Sequence, residues 1–358
     1  VGVDPFVEGG SPHALRIEAS SLRGTPLSFE TLDPWELPSA TGETFEPSFW
    51  ARAADWLGSA SFLVVVIGAA IVAVRNVRLG RGDHRTALRF GLYLAGVRLA
   101  WLLAADPRGN AIGTLTAHLA WSSYRLFLSY LFYMALEPYA RRLWPEMLVS
   151  WVRAFGGRLR DARVGRDVLI GVATGSSMAV AKYLFAWISS VVRPSNNGLD
   201  TLFWSWESLR GVRSAIVAMF GIHVSAVLDG LNAVMLFLVL RVVLRNTVAA
   251  VVGTTVLAVV MFNPGAISNW SYLASFAIVA ALFWVVLFRA GLLAILVAYS
   301  IDQIARGVRV TADLGAWHAL PMWLAFGSIL LVAAWGFRHA LAGRALFRDE
   351  IRTGNPLA

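Results

Sequence analysis

Ionisable side chains inside apolar runs are the residues of this chain best placed to do chemistry. His223 and Asp229 lie six residues apart in one such run and share a loosely polar helix face with Asn232. A charged group in a bilayer interior is costly unless it is paired or hydrated, so it marks a candidate site. One interpretation is a proton relay or a polar ligand pocket. The other is a structural role in hydrogen bonding between helices.

A second pair lies in an earlier run. His118 and Arg125 are seven residues apart, which is two helical turns, and Ser122 falls between them on the same face. This face could bind an anionic group within a helix bundle, or it could be a structural polar seam. Three further ionisable residues in or at the ends of apolar runs are Arg98, Lys182 and Asp302. The first two are close enough to run ends for their side chains to reach the interface.

Motifs for catalysis and metal binding are absent from the sequence. The chain has no cysteine, and its six histidines are scattered without an HExxH or HxxxH pair, the spacings of common zinc sites. It also lacks a GxSxG elbow, a glycine-rich phosphate loop ending in GKS or GKT, and the HRD and DFG motifs of kinases. We therefore predict no catalytic residue, no metal site and no enzymatic activity for this chain, and the sequence identifies no cofactor.

The composition is that of an integral membrane protein. Hydrophobic residues make up 57% of the 358 residues and charged residues only 15%. In a typical soluble protein, roughly a quarter of the residues are charged. The net charge of +9 does not indicate a nucleic-acid partner, because the basic residues cluster at the ends of apolar runs as orientation signals do. Lys182 is the only lysine, so nearly all of this charge is arginine.

Nine apolar runs have about the length that a helix needs to cross the hydrocarbon layer. They lie near 56–75, 88–105, 114–136, 167–192, 218–243, 247–262, 271–288, 292–307 and 316–337. We predict an all-α polytopic membrane protein with about nine transmembrane helices in a bundle over 51–337. The run 292–307 is short and could instead be re-entrant. Residues 338–358 form a cytoplasmic tail in this scheme.

Residues 1–50 differ from the rest in being polar and rich in proline, glycine and serine. Within them, His13–Ala19 and Thr25–Leu32 alternate roughly between apolar and polar residues, as the strands of a short hairpin do. We predict a small β-like segment outside the membrane.

The stretch Glu137–Gly171, between the third and fourth runs, carries seven arginines. Apolar residues between them, among them Trp144, Trp151 and Phe155, follow spacings close to the helical repeat. This pattern predicts an amphipathic helix within 137–166 that lies in the cytoplasmic membrane interface. Its guanidinium groups are expected to contact the phosphates of anionic lipids. The residues expected to make these contacts are Arg141, Arg142, Arg153, Arg158, Arg160, Arg163 and Arg166.

Arginines accumulate in alternate loops along the chain. The loops after the first, third, fifth and seventh runs and the segment after the ninth are rich in arginine, while the intervening loops mix basic and acidic residues. Because basic residues concentrate on the cytoplasmic side, this asymmetry predicts an extracytoplasmic N-terminus and a cytoplasmic C-terminus.

Four stretches carry a family resemblance. They are LRIEASSLRGTPLSFETLDPW (15–35), RNVRLGRGDHRTALR (75–89), LEPYARRLWPEMLVSW with GGRLRDARVGRDVLIG (136–171), and GFRHALAGRALFRDE (336–350). In this order they resemble the multi-span C-terminal membrane region of bacterial serine/threonine protein kinases. The resemblance implies a kinase domain and at least one span upstream of Val1, and a location in the bacterial cytoplasmic (inner) membrane. It assigns no role to individual residues of this part.

Three functions are consistent with these patterns. The first is a non-catalytic anchor and sensor region of a serine/threonine-kinase-like signalling protein, whose packing responds to a ligand, lipid or partner. The second is a structural or accessory subunit of a larger bacterial membrane complex, with other membrane subunits or further copies of itself as partners. The third is a small-molecule or ion transporter that uses the seam of His223 and Asp229. Anionic lipids are expected partners in every case.

Overall fold

A computed structural model of the protein describes residues 2–3, 14–22, 25–32, 49–104, 111–192, 208, 211–262, 270–316 and 319–342. The chain divides into two compact units, Val1–Arg52 and Ala53–Ala358. The first unit contains three strands in the antiparallel order β1-β2-β3: β1 (Gly2–Val3), β2 (Ala14–Leu22) and β3 (Thr25–Leu32). Strands β2 and β3 overlap the two stretches with alternating polarity.

The rest of the described chain is helical. Its elements are α1 (Phe49–Arg78), α2 (His84–Ala104), α3 (Ala111–Leu143), a 3₁₀ turn (Pro145–Leu148), α4 (Val149–Phe155), α5 (Ala162–Val192), α6 (Val212–Leu244), α7 (Thr247–Phe262), α8 (Trp270–Arg289), α9 (Leu292–Arg306) and α10 (Ala319–Ala340). Every predicted apolar run therefore overlaps a helix.

Local signals explain where several helices begin and end. Asp83 precedes α2, and its carboxylate accepts hydrogen bonds from the backbone N–H of Thr86 (3.1 Å) and from the Thr86 hydroxyl (2.6 Å), as an N-cap residue does. Gly291 separates α8 from α9 with φ +93°, a left-handed conformation that glycine adopts without steric cost. A side chain at this position would also meet the Met147 carbonyl oxygen at 2.5 Å, so only glycine fits the turn.

Five helices of the described chain are long and apolar enough to cross a membrane: Trp56–Arg78, Ala162–Val192, Val212–Leu244, Trp270–Arg289 and Ala319–Ala340. The protein is therefore a helical membrane protein. The other four predicted runs form helices that do not reach this standard. Helices α7 and α9 have only 16 and 15 residues, and α2 and α3, with 21 and 33 residues, are not among the five.

The helical core is built around α6, which packs against α2, α3, α7, α9 and α10. Within it, Leu231, Val234 and Phe237 are almost completely buried. In a bilayer, helices associate through close van der Waals packing, and small residues at the contact permit it. Gly171 and Gly175 of α5 provide such a contact with α9. A Cβ atom on Gly171 would lie 2.6 Å from the Ala294 carbonyl oxygen, and one on Gly175 would clash with Ala298.

Arginine-rich segments that are distant in sequence meet at one end of the bundle. Arg89 of α2 donates a hydrogen bond to the Phe155 carbonyl oxygen at the end of α4 (2.8 Å). Met147 contacts Gly291 at the start of α9, and Gly165 of α5 contacts Gly336 of α10. We call this the basic end of the bundle. These segments are among those that the sequence predicts to lie on a single side of the membrane.

The predicted interfacial helix requires a correction. The stretch within 137–166 is not one helix: α3 continues to Leu143, a 3₁₀ turn and the seven-residue α4 follow, and α5 begins at Ala162. Pro145 cannot continue α3, and Gly157 has φ +88° after the end of α4. Several apolar side chains of the stretch face protein, since Leu148 and Trp151 are 2% and 3% exposed, whereas Leu143 and Leu159 are exposed. We refer to Trp144–Asp161 as the basic cap, because it folds onto the basic end.

Candidate functional sites

The structure divides the seven predicted lipid-contact arginines into two groups. Four pair with carboxylates of the same region: Arg141 with Glu137, Arg153 with Asp161 (2.9 Å), Arg163 with Glu146 (3.4 Å) and Arg166 with Asp167 (3.0 Å). The other three, Arg142, Arg158 and Arg160, are exposed and form no ion pair within the described chain. These three have their full donor capacity available for an external phosphate.

The basic cap is fixed to the bundle by aromatic packing and by a buried hydrogen bond. Trp151 packs edge-on against Phe90 of α2, with ring centroids 4.7 Å apart, and contacts Phe155 at 4.6 Å. The Ser150 hydroxyl donates a hydrogen bond to the carboxylate of Asp167 on α5, and both residues are buried. Because a buried carboxylate needs donors, this contact links the position of α4 to that of α5.

At the end of the basic cap, Asp161 forms an ion pair with Arg153. Burial raises the pKa of Asp161, but hydrogen bonds from the Arg163 backbone N–H (2.9 Å) and from the Arg153 guanidinium (2.9 and 3.1 Å) lower it more. The pKa of Asp161 therefore lies below its ordinary value. The stabilisation from this carboxylate is present above its unfolded-state pKa of about 3.9 and is lost as the pH falls through the lower folded-state pKa.

A buried ion-pair cluster joins α5 to α9. Asp302 of α9 is fully buried, and its Oδ2 accepts hydrogen bonds from Nζ of Lys182 on α5 (2.6 Å) and from Nη2 of Arg306 (3.2 Å). Gln303 is a further acceptor for Arg306. The second oxygen of Asp302 and the Nε of Arg306 are buried without a hydrogen-bond partner in the described chain. Two cations thus depend on one carboxylate in a region of low dielectric constant.

Tyr299 extends this cluster across the bundle. It lies three residues before Asp302, packs near Gly230 of α6, and is within electrostatic range of Asp302, Arg306 and Asp229 without a hydrogen bond to any of them in the described chain. Asp229 lies within electrostatic range of Arg125 of α3, although the two form no ion pair within the described chain, and Nη1 of Arg125 lies 3.5 Å from the Ser225 hydroxyl. We call the resulting set the buried network: Arg125, Asp229, Tyr299, Lys182, Asp302 and Arg306. It connects four helices and contains three basic and two acidic groups.

The structure pairs the four predicted ligand or relay residues differently from the sequence analysis. Arg125 and Asp229 were predicted in separate pairs, yet their charges lie within electrostatic range of each other, without an ion pair between them in the described chain. Nε2 of His223 instead lies 2.6 Å from the hydroxyl of Tyr93 on α2. His118 lies 3.2 Å from the Arg98 guanidinium and packs edge-on against Trp101 at 4.4 Å. Each histidine therefore has its own aromatic or polar partner on α2.

From the sequence, Lys182 and Asp302 were named singly, and neither Arg306 nor Tyr299 was singled out. One signal could have directed attention to this cluster. Lys182 is the only lysine of the chain, and it lies within a helix that is apolar enough to span a membrane. An isolated ammonium group there requires a buried acidic partner, and Asp302 lies in another apolar run.

Within the described residues, no group of three or more histidine, cysteine, aspartate or glutamate side chains could hold a metal ion.

No protein-family model, curated protein or solved structure matches this chain.

Proposed function

We propose that the chain is the non-catalytic membrane anchor and sensor region of a serine/threonine-kinase-like protein. The observation that carries this proposal is the attachment of the basic cap to the bundle. The 3₁₀ turn and α4 pack against α2, α3, α5, α8 and α9. A change in the packing of these helices would move the cap, and the exposed Arg158 and Arg160 would move with it. This arrangement suits the transmission of a signal from the membrane to a cytoplasmic domain.

The proposed placement is the bacterial inner membrane with nine spans. Helices α1, α2, α3, α5, α6, α7, α8, α9 and α10 would cross in turn, so that Val1 is extracytoplasmic and the C-terminus cytoplasmic. The basic end then faces the cytoplasm, as the concentration of arginine there favours. Arg142, Arg158 and Arg160 are the proposed contacts with anionic lipid phosphates.

The gene and the full-length protein test this proposal. An in-frame kinase domain should precede the codon for Val1. In vesicles, Arg89→Gln should change autophosphorylation of the full-length protein at least about threefold, because it removes a charge-assisted hydrogen bond that holds the cap to α2. Arg85→Gln, a neighbouring exposed arginine, is the matched control. A start codon close to Val1, or equal activities of both variants and the wild type, would contradict the proposal.

A transporter is the second candidate, and the buried network favours it. Ionisable residues within spans commonly line ion and substrate pathways. This function predicts that Asp229→Asn and Asp302→Asn abolish a substrate or proton flux in proteoliposomes, while Asp313→Asn in an exposed loop leaves it unchanged. Fluxes that match the wild type in both network variants would remove this candidate.

A further inference from the structure

The exposed face near the end of α1 forms a groove that is apolar along its length and basic at one end. The groove has a volume of about 680 Å³ and is lined by Ala70, Ile71, Val74, Arg75, Arg78 and Leu79. Ile71 is 65% exposed and Val74 49% exposed. These side chains therefore face away from the bundle.

The opposite face of α1 holds the helix in place. Ala69 and Ala73 are buried, and the side-chain amide of Asn76 donates a hydrogen bond to the Met134 carbonyl oxygen of α3 (2.9 Å). This hydrogen bond joins the last turns of α1 to α3, and the exposed side chains of the groove lie on the other face of the helix.

Both arginines at the end of the groove have free guanidinium groups. Arg75 and Arg78 are exposed, and neither forms an ion pair or a side-chain hydrogen bond within the described chain. They share a helix face with Ile71, at spacings of four and seven residues. Arg78 ends the helix, and Ile71 lies about 10 Å further along it at 1.5 Å per residue.

This order of groups matches one phospholipid molecule: an anionic headgroup at the two guanidinium groups and an acyl chain along Ala70, Ile71 and Val74. We propose that the groove of α1 is a binding site for an anionic phospholipid from the leaflet at the basic end. A zwitterionic phospholipid has the same acyl chains but no net charge to balance Arg75 and Arg78. This proposal rests on the proposed membrane placement. It adds anionic phospholipid as the class of ligand to which the proposed sensor region would respond.

Site-specific quenching in vesicles tests the proposal, and the absence of native cysteine makes the labelling selective. Ile67→Cys places a fluorophore one turn beyond Ile71 without filling the groove. Its quenching by phosphatidylglycerol with brominated acyl chains is compared with quenching by brominated phosphatidylcholine. We expect a preference for phosphatidylglycerol of at least about fivefold, since one basic group near an anionic surface contributes roughly this factor.

Adding Arg75→Gln and Arg78→Gln should reduce the preference to less than about twofold. Arg81→Gln, which removes a charge just beyond the groove, should retain it. Equal quenching by the two lipids in the protein with native arginines, or an unchanged preference in the double variant, would overturn the lipid site alone. Absence of quenching by either lipid would show that Ile67 does not face acyl chains, and would overturn the membrane placement together with the site.

Discussion

The basic cap and the buried network use the same chemical groups under different conditions. In the cap, Arg153 and Asp161 are eight residues apart, and their side chains are 39% and 22% exposed. In the network, Lys182 and Asp302 are 120 residues apart, and their side chains are 15% and 0% exposed. An exposed ion pair contributes about 0–1 kcal/mol, whereas removing one partner of a buried pair costs about 3–5 kcal/mol. The comparison predicts that charge in the network is required for folding and that charge in the cap is available for binding.

The largest effect is expected from Asp302→Asn. This change leaves Lys182 and Arg306 close together without their shared carboxylate, and it should lower the free energy of unfolding by about 3–5 kcal/mol. Unfolding in mixed detergent micelles, followed by tryptophan fluorescence, measures the change. A loss no larger than that of Asp161→Asn would show that burial does not distinguish the two regions.

The close packing of α5 against α9, the helices that carry Lys182 and Asp302, should be the next most sensitive to substitution. A Cβ atom at Gly175 would clash with Ala298 of α9, whereas one at Gly96 meets no atom within 4 Å. Gly175→Ala should destabilise the protein by about 1–3 kcal/mol because the helices must separate. Gly96→Ala should be neutral or stabilising by up to about 1 kcal/mol because alanine favours the helix. Equal unfolding curves for the two variants would contradict the proposed close contact of α5 and α9.

The buried hydrogen bond between the basic cap and α5 is expected to make an intermediate contribution to stability. Ser150→Ala removes a donor from the buried Asp167 carboxylate, and a loss of about 1–3 kcal/mol in unfolding free energy is expected. Ser328→Ala is the control, since within the described residues the Ser328 hydroxyl bonds only to a carbonyl of its own helix. If both substitutions have the same small effect, Ser150 does not hold the cap to α5.

The smallest effect is expected at the exposed pair of the cap. Asp161→Asn should cost less than about 1 kcal/mol near neutral pH. Because the pKa of Asp161 is lowered on folding, the difference between wild type and variant should persist down to about pH 4 and shrink as the pH falls further. Unfolding curves at pH 7, 4.5 and 3 measure this trend. A difference that grows on acidification would have the wrong sign.

The positions of the helices followed from hydropathy, but their ends did not. The first apolar run was placed near 56–75, whereas α1 extends from Phe49 to Arg78, because a helix continues into polar flanks that hydropathy does not mark. The helical spacing of Trp144, Trp151 and Phe155 indicated an interfacial helix. Periodicity alone cannot tell whether such a face meets lipid or protein, and here Trp151 is buried against α2.

The ionisable residues inside the apolar runs could be identified one by one from the sequence, but their neighbours on other helices could not. Asp229 and Arg125 were recognised because each is an ionisable residue in an apolar run. Their interaction depends on which helices are neighbours, and spacing along one helix carries no such information. For the same reason, the sequence did not show that Lys182 pairs with Asp302. Contacts between distant helices are set by packing such as that of Gly171 and Gly175 against α9.

The proposed orientation requires the two ends of the bundle to lie on opposite sides of the membrane. Single cysteines at Arg158 in the basic cap and at Asp313 between α9 and α10 report this, because the chain has no native cysteine. The reagent is a membrane-impermeant maleimide, added to intact bacterial cells after the outer membrane, where one is present, has been permeabilised. With nine spans, it should label Asp313→Cys. It should label Arg158→Cys only after the inner membrane is also opened. Labelling of Arg158→Cys while the inner membrane is intact, or protection of Asp313→Cys, would contradict the proposed orientation.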